Sequence, residues 1–266
     1  MSRENDRALR FYNEVLGLER LHYGMWLPDD ELSAEKLQIA QERYEDYLVD
    51  KIPDGVTSIL DVGCGSGVMT KRLISLGYRV EGLSPDITQK TNFTENIDTK
   101  FHHTKFDEFI NTDQYDCLIM SESSQYIRLA KIFKIAQNCL NNNGYLMICD
   151  YFVLQGSSGE YRQSGHNYEE FINQMKSDNF VIVSEEDITD RVVKTLDLGR
   201  IMVEKTFKAI EIGTEKYRHK YPRISSGVLR LFKNKIDKIE RQVELLNSDG
   251  FKLNKTYRFM LLQYKG

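Results

Sequence analysis

Apolar residues follow two rhythms along this chain. Residues 4–20 (ENDRALRFYNEVLGLER) and 33–50 (SAEKLQIAQERYEDYLVD) carry them at helical spacing. The aromatic stretch between them, LHYGMWLPDD, is interrupted by Gly24 and Pro28 and predicts a loop. After Pro53-Asp54-Gly55 the apolar runs shorten to strand length and alternate with helical stretches. VTSILDVG predicts a buried strand, CGSG a tight loop, and VMTKRLISLG a helix closed by Gly77. YRVEGLS, TKFHHTKF, YDCLIMSE, YLMICDYFV and FVIVSEEDI follow as strands two to six. The helical stretches RLAKIFKIAQNCL and YEEFINQMKSDN fall before and after the fifth, with a turn expected at Asn141–Asn143. Such alternation predicts a Rossmann-like α/β fold, doubly wound around a mostly parallel sheet of seven strands.

The rhythm breaks over 190–247, which is long, charged and helical in pattern, before YRFMLLQYK offers a last strand. The predicted organisation is therefore an N-terminal helical cap (1–52), a core (53–189), a helical lid insertion (190–247) and the final core strand (248–266).

Composition narrows the function. A net charge of −4 and a pI of about 5.8 imply no broad basic face, so nucleic acid is not an expected partner. The apolar runs are too short for a membrane span, and the first ten residues hold no apolar signal core, so a cytoplasmic location is expected. Cys64, Cys117, Cys139 and Cys149 form no CxxC pair or Cys/His cluster, and no metal site is expected. Oligomeric state is left open.

The strongest chemical signal is Asp61-Val62-Gly63-Cys64-Gly65-Ser66-Gly67, set between a strand and a helix. Glycines let the backbone turn tightly and approach a ligand, and the following helix offers free N–H groups. The spacing departs from the nicotinamide-dinucleotide fingerprint: Val68 stands where its third glycine belongs.

ILDVGCGSG resembles motif I of class I S-adenosylmethionine-dependent methyltransferases. LHYGMW resembles the aromatic lead-in of the branch that holds cyclopropane fatty acid synthases and tocopherol, sugar and alkaloid methyltransferases. GLSP, YDCLIMSESSQYI and NNNGYLMICDYF are similar to later segments of the same branch. The resemblance implies S-adenosylmethionine as cofactor and methyl transfer to an O, N or C atom of a small molecule, as in natural-product biosynthesis. Asp61, Gly63, Cys64, Gly65 and Gly67 would hold the methionyl part. Tyr23 would reach the same carboxylate or shut the pocket. Residues of Thr104–Asp107, with Lys105 and Phe106, would border the adenine, and Ser121 and Glu122 would face the methionyl end and the substrate.

Two positions depart from the family pattern. Relatives often end the second strand with an acid that binds the ribose; here Ser84 stands there and Asp86 follows, while Glu81 falls mid-strand. Asp86 is favoured over Ser84. Relatives also often carry a histidine after the fourth strand, where this chain has Gln125 and Tyr126. The remaining candidates for a base are Glu122, His22, His166 and Tyr126, with Glu122 best placed. The missing histidine keeps two alternatives open: methylene transfer to a lipid or a cyclisation on the same scaffold, or a non-catalytic cofactor-binding module.

Overall fold

The computed structural model describes residues 20–110, 113–220, 241 and 243–266. The first expected helix lies outside them except for Arg20, and so do residues 221–240 of the expected lid.

Helix α1 (Ala34–Asp50) starts at Ser33, whose hydroxyl accepts the Lys36 N–H as an N-cap. One face of it is buried, and that face includes Gln41, Tyr44 and Glu45 among the apolar residues. The alternating part of the chain then forms β1 (Ser58–Val62), α2 (Val68–Ser75), β2 (Arg79–Leu83), α3 (Ile87–Asn96), β3 (Phe101–His102), β4 (Tyr115–Ser121), α4 (Leu129–Cys139) and β5 (Leu140–Val153). After these come β6 (His166–Asn167), α5 (Tyr168–Ser177), β7 (Phe180–Asp187), α6 (Thr189–Val192), α7 (Lys194–Lys220), α8 (Ser248–Asn254) and β8 (Lys255–Tyr264).

The strands build one sheet in the order β3-β2-β1-β4-β5-β8-β7, with β6 paired to the end of β5. The first five of that order are parallel, and β8 runs antiparallel to both β5 and β7. All five residues of β1 are buried, as a strand covered on both faces requires. One layer packs Phe133 and Ala136 of α4 and Phe171 and Met175 of α5 against Leu118, Met120 and Ile148. The opposite layer packs Tyr44 and Leu48 of α1, Leu73 of α2, Val192, Leu196 and Phe251 against Cys117, Met147 and Tyr257. This is the doubly wound sheet that the alternation predicts. Its crossovers reverse direction between β1 and β4, so the carboxyl ends of those strands flank a crevice where ligands bind in such sheets.

Four expectations need correction. The sheet has eight strands, because the short β6 was not foreseen. Asn141–Asn143 lie inside β5 at a register shift, with Asn143 at φ 61 and the Asn141 amide donating to Asp116 at 2.7 Å. The polar run is thus a bulge that the sheet absorbs. Residues 248–254, expected as strand, form helix α8, capped by Asn247, whose side chain accepts the Gly250 N–H. The third strand is also shorter than TKFHHTKF predicts.

The segment after residue 190 enters the core at once: Val192, Val193 and Leu196 are buried against the sheet. No helix among the described residues is long and apolar enough to cross a membrane.

Candidate active site

At the carboxyl end of β1 the chain turns through Gly63, Gly65 and Gly67, all at positive φ (79°, 57° and 87°). Their reasons differ. A Cβ on Gly63 would lie 2.4 Å from that of Ser123, so this glycine lets the loop after β4 come close. A Cβ on Gly65 would meet nothing within 4 Å. That position opens onto a cavity of about 570 Å³ whose floor is the glycine loop. Gly67, expected as a cofactor contact, does not line the cavity; its place is against Phe93 and Ile97, at the start of α2.

Of the other expected residues, Asp61, Cys64, Ser84, Asp86, Lys105, Phe106, Ser121, Glu122, His22 and Tyr126 do line this cavity. Asp61 is buried and accepts a 2.6 Å hydrogen bond from the Thr70 hydroxyl. Burial pushes its carboxyl up to about 6. Asp86 is the N-cap of α3: its Oδ1 accepts the Thr88 and Gln89 N–H groups at 2.8 and 3.0 Å. Among the described residues nothing bonds its Oδ2. The Ser84 hydroxyl is engaged locally, donating to Gln89 Oε1 and accepting the Asp86 N–H. Glu81 is held away from the cavity by the Tyr115 hydroxyl and His102, each at 2.7 Å.

Glu122 stands directly after β4 with φ 52, a left-handed conformation that costs a non-glycine residue on the order of 1–3 kcal/mol. Its Oε1 accepts two hydrogen bonds of 2.7 Å, from the Tyr23 backbone N–H and the Tyr257 hydroxyl. Burial pushes its carboxyl up to about 7, although His22 and these bonds pull the other way. The hydroxyls continue inward: Tyr257 lies 3.0 Å from the Tyr44 hydroxyl, which lies 3.0 Å from Ser121 Oγ. Glu122 therefore faces the cavity with one oxygen fixed and a proton affinity close to neutrality.

The other base candidates fare differently. His22 stacks on Tyr44, and both its ring nitrogens face acceptors, Tyr23 O at 2.8 Å and Glu45 at 3.3 Å. Neither nitrogen has a lone pair turned to the cavity. His166 lies on β6 outside the cavity, bonded to Ser124 O at 2.9 Å, because pairing with β5 fixes it there. Tyr126 is 82% exposed on the rim. Tyr23, expected to reach the cofactor carboxylate or to shut the pocket, turns its ring to Phe251 and Tyr257, and its backbone N–H donates to Glu122.

Sequence reasoning missed Tyr44, Tyr257, Arg20 and Glu45. Arg20 lines the cavity and donates to Glu45 at 2.6 Å, while Arg72 and His22 flank the same carboxylate. Burial acts upward on the Glu45 carboxyl and is the largest single influence, yet His22 and Arg20 hold it below the usual carboxylate range. The available signal was polar: Gln41 and Glu45 sit on the apolar face of α1, where a solvated surface gives no reason for them.

A glycine-floored crevice rimmed by carboxylates at the crossover of a doubly wound sheet defines a Rossmann-like protein with a cofactor cavity. Residues 31–189, more than half of the chain, match the family model described as a methyltransferase domain. The chain belongs to that family. It is 28% identical over 130 residues to a ubiquinone biosynthesis O-methyltransferase of Rickettsia typhi, covering 45% of this chain and 52% of that protein. The match thus spans about half the length of that curated relative. Among solved structures, the chain is similar to a geranyl diphosphate C-methyltransferase from Streptomyces coelicolor A3(2), crystallised with Mg2+, geranyl diphosphate and S-adenosyl-L-homocysteine. There the TM-score is 0.66 at 16% identity, over 99% of this chain and 98% of that one. It is also similar to the [4+2]-cyclase SpnF, with a TM-score of 0.69 at 15% identity, over 99% and 96% of the two chains. At these identities the likeness is one of fold.

The residues present fit S-adenosylmethionine. Open space above Gly65 admits a ligand against the backbone, Asp86 keeps a free carboxylate oxygen for vicinal hydroxyls, and Arg20 brings a cation to the cavity wall. Phe106 and Ile127 supply apolar surface for a flat base.

Proposed function

We propose that this protein transfers a methyl group from S-adenosylmethionine to an O, N or C atom of a small organic molecule, with Glu122 as general base. When bound, the cofactor supplies a methyl group already activated by its sulfonium. The protein's share is alignment, exclusion of water and removal of a proton from the nucleophile where it carries one. The observation that carries the reading is Glu122 itself, a cavity carboxylate poised near neutral pH, held by Tyr257 and the Tyr23 N–H.

Asp86 would bind the ribose, Asp61 and the Gly63–Gly65 turn the methionyl end, and Lys105 and Phe106 the adenine edge. The segment His22–Trp26 and helices α6 and α7 would form the cover. Thr195 Oγ1 of α7 accepts the Gly24 N–H and the Trp26 indole N–H at 3.0 and 2.8 Å, and Trp26 N donates to Arg191 O at 2.7 Å. Such covers sequester reactions from water.

Incubation with methyl-labelled S-adenosylmethionine and a panel of phenols, amines, carboxylic acids and activated carbon acids is the test. Label should pass to at least one acceptor class, and Glu122→Gln should abolish transfer to hydroxyl or amine acceptors while cofactor affinity persists. Unaltered turnover in Glu122→Gln would remove it as the base. Carbon label passing to a lipid alkene as a methylene, with loss of one proton, would favour the methylene reading, and conversion of an acceptor with the cofactor left intact would favour cyclisation.

A further inference from the structure

β8 runs antiparallel to β5, so its first residue, Lys255, lies at the carboxyl edge of the parallel strands, opposite Val153. Glu122 and the glycine loop occupy that same edge. Lys255 is only 6% exposed. Its ammonium donates to Ser164 Oγ at 2.8 Å and rests 4.1 Å from the centre of the Tyr151 ring. An ammonium carries three donors, and burying a charge is costly unless it is paired. Among the described residues no carboxylate lies within ion-pair distance of it. Asp150 acts on it from farther away, and its own oxygens are taken by the Ser124 hydroxyl and the Gln125 and Tyr151 N–H groups.

Lys255 does not line the glycine-floored cavity, and its surroundings link it to Glu122 through β8. Tyr151 lies opposite Tyr257 in the ladder, and the Tyr257 hydroxyl bonds Glu122. Lys255 and Tyr257 are two residues apart on one strand, so they project from the same face with backbones about 7 Å apart. Phe251 packs on Tyr151 and on Tyr23, which closes an aromatic wall between the lysine and the carboxylate. A buried cation with no carboxylate in ion-pair range among the described residues thus lies two residues along β8 from the tyrosine that bonds Glu122. The loop between β5 and β6, which contributes Ser164, covers it from outside. Burial pulls the ammonium down to about 8, as expected for a cation whose counter-charge is yet to arrive.

We propose that Lys255 is the anion-binding group of the acceptor site, so that the molecule methylated carries a carboxylate or a phosphate several bonds from the reacting atom. This inference rests on the methyltransferase reading. An anion entering between Ser164 and the Tyr151 ring would complete the ion pair that the fold leaves open. An amphipathic acceptor, apolar along the aromatic wall and acidic at its far end, satisfies both halves of the site.

The test uses the full chain saturated with S-adenosylhomocysteine, so that the cofactor cavity and its cations are filled. Sodium acetate and inorganic phosphate are then titrated separately by calorimetry into wild type, Lys255→Met and Lys255→Arg. Wild type should bind at least one probe, Lys255→Met should bind it at least about tenfold more weakly, as expected for lost bonds to a charged group, and Lys255→Arg should keep most of the affinity. Acetate alone points to a carboxylate substrate, phosphate alone to a phosphorylated one. Should Lys255→Met fail to fold, Ser164→Ala replaces it, with a smaller but measurable loss expected. Binding of neither probe to the wild-type complex, or equal binding by the variants, overturns the assignment of Lys255. Failure of wild type to bind S-adenosylhomocysteine at all would instead overturn the methyltransferase reading, and this inference with it.

Discussion

Glu122→Gln should stabilise the protein while disabling it, and the gain should depend on pH in a definite direction. Burial disfavours the charge of the folded carboxyl and pushes it up to about 7 from the ordinary 4.5. A raised carboxyl means that the folded state holds the proton longer than the unfolded chain. Stability is therefore lost as pH rises through the unfolded value, and the loss is complete once the folded group has ionised. At about 1.4 kcal/mol per unit, the penalty reaches roughly 3 kcal/mol above pH 8 and only about 1 kcal/mol near pH 5. Glutamine keeps the oxygen that accepts the Tyr23 N–H and Tyr257 hydroxyl bonds and has no charge to ionise. For a domain of this size, about 2–4 °C per kcal/mol makes the variant's melting temperature rise about 4–8 °C more at pH 8.5 than at pH 5. Thermal unfolding of both proteins at the two pH values gives the double difference directly. An equal effect at both pH values would mean that Glu122 is not a buried, near-neutral acid, and the case for it as base would go too.

Gly65→Val should lower S-adenosylhomocysteine affinity by more than about tenfold, with a cost of roughly 1–3 kcal/mol from the positive φ; calorimetry on a folded variant with unchanged affinity would refute the cradle. Asp86→Ala should weaken the cofactor by about tenfold and also cost about 1 kcal/mol of helix capping, whereas Asp86→Asn should keep the cap and lose only affinity. If Ser84→Ala is the more harmful change in the same titration, the ribose role moves to Ser84. Thr195→Val should leave the Trp26 indole N–H and the Gly24 N–H without their acceptor, costing about 1–3 kcal/mol. Hydrogen exchange over residues 22–27 should then rise while the strand Leu146–Phe152 stays protected, and unchanged exchange would show that the two covering elements are independent.

The parts of this site that the sequence made legible are those whose reason is local. Gly63 and Gly65 needed only a strand before them and a helix after them, and Glu122 needed only its place at the end of the fourth strand. The partners that set its chemistry were hidden because they come from distant segments: the Tyr44 and Tyr257 hydroxyls meet across 213 residues of sequence. The hydrogen bond from the Tyr23 backbone N–H to Glu122 was hidden too, since a residue pattern does not say whether backbone or side chain will face a neighbour. His166 stood among the candidate bases on its residue type alone. Two residues of strand pairing to Phe152 and Val153 were enough to turn it toward Ser124 O instead.

The position of β8 bears on how the protein is made. Among the described residues β7 has no neighbour in the sheet other than β8, and β5 has its second edge covered by it through nine residue pairs, from Tyr145↔Gln263 to Val153↔Lys255. Those pairs join segments more than a hundred residues apart, the kind of contact that forms late and slowly. While the chain emerges from the ribosome, β5 and β7 must wait with open, apolar edges until the last strand has been synthesised. Unpaired edges of this kind recruit other chains. Nascent chains stopped before Lys255 would lack both the strand that joins β7 to the rest of the sheet and the Tyr257 hydroxyl that holds Glu122. Premature termination should therefore yield aggregate cleared by chaperones and proteases, with no partly active fragment.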